Sequence, residues 1–469
     1  MTDWLSQDTE ALPALLQDAK EQAVQYLTQR QGRFTAPRYA EGPARSLPEE
    51  GIGARAAMEL FCDQYEPYLQ NSTGPRFFGY VIGGNTPAAL MGDWLCSAYD
   101  QNAFALPDTA DRQIEREVSA FLRELLELPA SFEGVFCSGA TMANFTALAI
   151  ARAWACERQG LGADDGLFGA KAPYFITGQA HPSVYKALSM LGIGRRNMIR
   201  MPLLPGREAV DPDAVEAFLK AHTDRPVILI ANAGTVNSGD LDDIAALADL
   251  KDRYGCYLHI EGAIGAVAAA SPKLRGLFSG AQQADSFTVD AHKWLNTPYD
   301  GAMVLVRGED NRRRQYGVFA QALSGEEGFD PKTAYYNLAP EGSRRFRALP
   351  AWLSLMAYGK SGYCQLVERN CDLAQLMASL LGSCPALRLV CPVRLNIAAF
   401  TLSEQASPER VEALAAAIRR RGVTFVNTAV LLGAPVIRVC ISSYLTREED
   451  VRAAAHSILA AVQELEQTP

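Results

Sequence analysis

The sequence predicts an α/β protein: a largely parallel sheet covered by helices on both faces, preceded by a helical arm and followed by a small α+β domain. Three observations carry that prediction. Between about residues 110 and 310, short apolar runs alternate with segments of helical periodicity, as expected of a parallel sheet with helical crossovers. The first 75 residues show helical periodicity and polar loop but no strand pattern. From about Arg344 the pattern becomes long helix, then strand–helix–strand. The expected organisation is a helical segment over residues 1–75, a large domain over 76–343 and a small domain over 344–469. A chain of 469 residues suits two or three packed domains better than one core.

In the arm, Leu12, Leu15, Leu16, Ala19 and Ala23 recur at helical spacing. A polar loop with Pro37, Pro43 and Pro48 separates them from a second helix through Met58, Leu60 and Phe61. Such helices cannot bury both faces alone, so the arm is expected to pack on another domain or a partner chain. In the large domain, a helix over 113–128 places Ile114, Val118, Phe121, Leu122 and Leu125 on one face. Strands are expected at 134–137, 174–177, 227–231, 257–260, 286–289 and 302–306, with helices such as 184–191 and 243–254 between them. The last domain is expected to hold a helix pair over 350–381 and strands at 397–402, 423–426 and 437–441. Its remaining helices are expected at 411–420 and 448–465.

Composition narrows the function. Hydrophobic residues make up 48% and charged residues 21%, as in ordinary globular proteins. The net charge is −9, an acidic balance that argues against a nucleic-acid partner. No apolar stretch is long enough to span a bilayer, and the start of the chain lacks a secretory signal, so a cytoplasmic location is expected. The ten cysteines and five histidines are scattered without zinc spacing, and no metal site is expected.

Five elements carry chemistry. Lys293, in Asp290-Ala291-His292-Lys293-Trp294, follows a strand at its carboxyl end, where ligands of α/β sheets bind. An amine there suits imine formation. Ser138-Gly139-Ala140-Thr141 joins a strand to a helix, and its small residues and free N–H groups suit a phosphate. His181 follows another strand, where an imidazole can stack on a planar ring. Glu261 ends a buried strand, and a carboxylate there needs a cationic partner such as a protonated pyridine nitrogen. Thr235 adds a polar group after the strand 227–231. Each alone has an ordinary structural reading, as a solvated lysine, a capped turn or a paired acid. Together at one sheet edge they match the needs of pyridoxal phosphate.

The chain resembles the group II pyridoxal-dependent decarboxylases, which include aromatic amino-acid, histidine and glutamate decarboxylases. The resemblance runs from about Pro75 to Asp450 and looks closest to a bacterial branch. It rests on Pro75-Arg76-Phe77-Phe78-Gly79-Tyr80, Gly139-Ala140-Thr141-Met142-Ala143-Asn144, His181-Pro182-Ser183-Val184 and Ala291-His292-Lys293-Trp294-Leu295-Asn296. It implies the aspartate aminotransferase-like fold type I, with a mostly parallel seven-stranded sheet sandwiched by helices. It also implies a homodimer with shared active sites. Pyridoxal 5'-phosphate would be held by Lys293 as an imine, stacked by His181 and contacted at its phosphate by Gly139, Ala140, Thr141 and His292. Thr235 would lie near the ring, unless that place falls to Val236, which cannot donate.

The expected reaction is decarboxylation of an L-amino acid, with an aromatic or other nonpolar side chain favoured. The alternatives are oxidative aldehyde formation, C–C lysis, or a non-catalytic binding role. The family's acid at the ring nitrogen is aspartate; here it is Glu261, one methylene longer. In this family a loop tyrosine often protonates Cα, and Tyr335 or Tyr336 is the candidate in the loop between Gln315 and Pro340. Gly325 and Gly328 fit a lid there, beside Glu326, Glu327, Phe319 and Phe329. Phe77, Phe78, Tyr80 and Phe104 are candidates for an aromatic substrate pocket or for core, with Arg76 the nearest cation.

Overall fold

The computed structural model describes residues 3–103, 109–162, 165–320 and 334–467. Seven strands form the larger sheet: β1 Phe132–Cys137, β2 Tyr174–Thr177, β3 Met198–Arg200, β4 Val227–Asn232, β5 Tyr257–Glu261, β6 Ser286–Asp290 and β7 Ala302–Arg307. Their order is β1-β7-β6-β5-β4-β2-β3. Neighbours from β3 across to β6 are parallel, and β7 runs antiparallel to both β6 and β1. It follows that β1, β2, β4, β5 and β6 all end at the same edge.

Successive side chains of a strand point to opposite faces, and both faces are covered here. Leu229 and Ala231 of β4 join one apolar cluster with the helices Ala110–Leu125, Pro212–Ala221 and Ile244–Tyr254. Ile228 and Ile230 join another with the helices Ala140–Glu157 and Pro182–Met190. That two-sided burial is why β4 reads as one unbroken apolar run.

A second sheet contains β8 Leu387–Leu389, β9 Ile397–Leu402, β10 Asn427–Leu431 and β11 Ala434–Cys440, ordered β10-β11-β9-β8 and antiparallel throughout. The helices Pro408–Arg420 and Glu448–Gln467 cover it. The expected helix pair is present over Ala348–Gly382, its two helices meeting at a kink at Gly359, whose φ of 57° favours glycine. Two strands, β3 and β8, were not anticipated; at three residues each they are too short to show a period. The strand expected at 423–426 instead starts at Asn427. Val426 is core, and Phe425 forms only an isolated bridge to Phe77, with their rings stacked 4.5 Å apart.

The arm helices Trp4–Glu10, Leu12–Gln29 and Ala54–Gln64 hold no buried residue in this chain. Leu5, Leu12, Leu16 and Phe61 are exposed on them. Among the described residues, no helix is long and apolar enough to cross a membrane.

Candidate active site

The shared edge of β1, β2, β4, β5 and β6 opens on a cavity of about 570 Å³. Its wall includes Gly139, Ala140 and Thr141 after β1, His181 after β2, and His292 and Lys293 after β6. With Val236 after β4 and Ile264 after β5, five separate turns converge there because the parallel register brings their strand ends together.

The turn after β6 is tightly held. Asn296 adopts φ 58°, a left-handed conformation that asparagine tolerates. Its amide donates to Trp294 O at 2.9 Å and Ser442 O at 3.0 Å. Gly83 packs so closely that an added Cβ would lie 1.9 Å from the Lys293 carbonyl oxygen. Lys293 Nζ is therefore set 3.4 Å from Asp290 Oδ2. Asp290 Oδ1 lies 3.1 Å from His292 Nδ1, and the Tyr299 ring stacks on His292 with centroids 4.1 Å apart. Burial lowers the proton affinity of His292, with Asp290 opposing, and it lifts the Tyr299 phenol to about 12.

The turn after β1 starts the helix Ala140–Glu157. Ser138 N–H donates to Glu341 Oε1 at 2.9 Å, while the N–H groups of Gly139, Ala140 and Thr141 have no backbone or side-chain acceptor among the described residues. A helix start leaves such donors free, and they favour an anion. His181 caps the helix Pro182–Met190. Burial, then the charges of Lys293 and Arg438, lower its pKa to about 4.

Glu261 does not line the cavity wall; it is buried at the end of β5, 3% exposed. Its longer stem folds back, so that Oε1 accepts from Ala263 N–H at 3.1 Å. Burial raises its pKa, with Lys293 and the Ala263 N–H opposing.

Other expected residues are not at the cavity. The Thr235 hydroxyl turns away to Glu208 Oε2 at 2.8 Å and Ser238 Oγ at 2.9 Å, and Val236 takes its place in the wall. Tyr335 is buried against the Arg344 guanidinium and bonds Arg112 O at 3.4 Å, and Tyr336 is buried in the core. Phe77 and Phe78 are buried beside the small sheet, whereas Tyr80 lines the cavity. Phe104, Gly325, Glu326, Glu327, Gly328 and Phe329 lie outside the described residues.

Sequence reasoning missed Arg438. It sits in β11, 7% exposed, lines the cavity and donates to Val236 O. The available signal was a single arginine inside an apolar strand, which needs either an ion pair or a ligand.

Residues 52–403 match the model of the pyridoxal-dependent decarboxylase conserved domain. The chain belongs to the pyridoxal-dependent decarboxylase family. It is 30% identical over 431 residues to an aromatic-L-amino-acid decarboxylase of Bacillus atrophaeus, covering 90% of this chain and 88% of the relative. It is 26% identical to a phenylacetaldehyde synthase of Arabidopsis thaliana, covering 83% of this chain and 82% of the relative. In fold it matches the Oryza sativa TDC solved with PLP and tryptamine, at TM-score 0.88 and 22% identity, over 97% of this chain and 98% of that one. The decarboxylase is thus a pyridoxal-phosphate carboxy-lyase acting on an amino acid. Its cavity fits the cofactor: an amine, an anion-binding helix start, an imidazole and the buried Asp290 carboxylate line a volume usual for such ligands.

Proposed function

We propose that the enzyme decarboxylates an L-amino acid with an aromatic or other nonpolar side chain, releasing an amine and carbon dioxide. The observation that carries this is the cavity wall. Tyr80, Val81, Ile82, Val236 and Ile264 make it largely apolar, while Arg438 offers a guanidinium with no carboxylate partner among the described residues. One group therefore receives the α-carboxylate, and the rest of the wall suits a nonpolar side chain. The relative from Bacillus atrophaeus, named for aromatic substrates, supports the same reading.

Pyridoxal phosphate, when bound, supplies the sink for the electrons released with carbon dioxide. Lys293 would attach it, with Asp290 holding the free amine in place. The N–H groups of Gly139, Ala140 and Thr141, with His292, would hold the phosphate. His181 would lie on the ring. Glu261 would keep a proton on the ring nitrogen, its stem folded to fit the extra methylene. Arg438 orients the carboxylate, and the apolar wall excludes water, which strengthens each of these charges.

The test is carbon dioxide release by the holoenzyme from L-phenylalanine, L-tyrosine and L-tryptophan, against L-glutamate and L-lysine. Turnover confined to the acidic or basic substrates overturns the proposal. Borohydride reduction and peptide mapping should place the cofactor on Lys293.

A second reading, oxidative formation of an aldehyde, draws on the position of Tyr335 and Tyr336, both packed away from the cavity within this chain. Assaying aldehyde, ammonia and peroxide in the same reactions separates the two.

We further propose a cytoplasmic homodimer. All ten cysteines are free and none is exposed, which supports a reducing setting. The arm's three helices have no buried residue of their own, and Met91, Trp94 and Tyr99 are exposed on the helix Pro87–Tyr99. Exposed apolar surface of that extent supports association with a second copy.

A further inference from the structure

We infer that His181 stands in the cavity as a neutral ring with its proton fixed on Nε2, and that Ser183 and Asn144 are the positioning residues that fix it. This rests on the proposed function only in taking the cavity as the substrate's.

The argument is one of hydrogen-bond direction. His181 Nδ1 accepts from the Ser183 backbone N–H at 3.2 Å, as the cap of its helix. A backbone N–H can only donate. Nδ1 must therefore present a lone pair, and the proton of the neutral ring sits on Nε2. The Ser183 hydroxyl is 2.7 Å from the same nitrogen. Asn144 Nδ2 donates to one lone pair of that hydroxyl at 3.1 Å, and with the Nδ1 lone pair fixed by the backbone N–H the hydroxyl's own proton points to Nδ1. Asn144 is fixed in turn, its Oδ1 lying 3.1 Å from His259 Nε2 in the core.

Nε2 has no hydrogen-bond partner among the described residues, while the ring lines the Lys293 cavity. A charged ring would set a proton on Nδ1 against the Ser183 N–H. The charged groups acting on the ring, Lys293 and Arg438, are both cations and oppose that charge too. The cavity is thus given a donor at Nε2. His181 can hold a carboxylate oxygen there and cannot take a proton at that atom.

The test reads the ring directly, in the full-length protein without substrate. Histidine alone is labelled with nitrogen-15, and His181 is assigned among the five histidines with His181→Gln. Two-bond nitrogen–proton spectra are recorded from pH 5 to 9, with and without the cofactor. The expected wild-type spectrum has a bare Nδ1 and a protonated Nε2 throughout.

Ser183→Pro removes both donors at a first-turn position whose N–H makes no intrahelical bond. It should mix the tautomers and raise the titration midpoint by about one pH unit or more. Ser183→Thr, which keeps both donors, should restore the wild-type pattern. A wild-type ring protonated on Nδ1, or a Ser183→Pro spectrum identical to wild type, overturns the inference. If Ser183→Pro does not fold, Ser183→Ala must still shift the Nδ1 resonance, and an unchanged resonance overturns it equally. Because no substrate is present, a wrong substrate class shows only in the carbon dioxide assay and leaves this result untouched.

Discussion

Replacing Glu261 with glutamine removes one negative charge from the end of β5 and leaves its shape almost unchanged. The amide oxygen can still accept from Ala263 N–H, which now lies 3.1 Å from Oε1. The loss is therefore electrostatic. Removing one preorganised partner from a buried site costs about 10²–10³ in rate, or about 2.7–4 kcal/mol. Glu261 is 3% exposed, so no water can replace it, and kcat should fall by about 100-fold or more.

Stability should move the other way. Burial raises the Glu261 pKa, so the folded state keeps this proton to higher pH than the unfolded chain does. Its contribution is then fully present at low pH and fades as pH rises through the folded value. Glutamine has no such dependence, and its advantage should grow with pH. The assay pairs single-turnover carbon dioxide release with thermal midpoints of the cofactor-free protein at pH 5 and pH 8. A glutamine variant with wild-type kcat would refute the role of the charge. A glutamine variant losing more stability at pH 8 than at pH 5 would refute the burial argument. Glu261→Asp separates charge from reach: it keeps the charge and loses the fold-back to Ala263, and it should fall between the two.

Three further outcomes follow from the geometry. Arg438→Leu should raise KM for the amino acid by about 10–100-fold, the worth of hydrogen bonds to a charged group, with cofactor loading unchanged in the absorbance spectrum. Glu115→Ala should cost about 3–5 kcal/mol in denaturant unfolding, because it leaves Arg344 buried without its partner at 2.9 Å. Gly83→Ala should abolish cofactor loading or folding, since its Cβ has no room beside the Lys293 carbonyl, and the absorbance per chain reports it.

The parts of the site that were legible in the sequence are those fixed by short-range chemistry. Lys293, His292, His181 and the Gly139–Thr141 turn each follow a strand whose apolar run is unmistakable, so their placement at one edge follows from the parallel order. Side-chain direction was not legible. Thr235 and Val236 are neighbours, and which of them faces the cavity depends on Glu208, in a different loop, claiming the threonine hydroxyl. Tyr335 bonds Arg112, more than two hundred residues earlier, a pairing that no local pattern announces. Val426 shows the same limit for the fold: burial made it look like strand, while the pairing partner of its neighbour Phe425 came from Phe77.

Arg438 connects these points to specificity. A buried guanidinium is costly unless an anion meets it. Asp290 is engaged by Lys293 and His292, and Glu261 by the Ala263 N–H. Neither carboxylate pairs with Arg438, whose side chain among the described residues is held at Val236 O. β11 could satisfy its packing with an apolar residue, as Val436 and Val439 do on the same strand. The guanidinium therefore earns its place only when a ligand brings the missing charge. The surrounding wall is largely apolar, so on the proposed reading the guanidinium meets the α-carboxylate that every α-amino acid carries, and the side chain fits among Tyr80, Ile82 and Ile264.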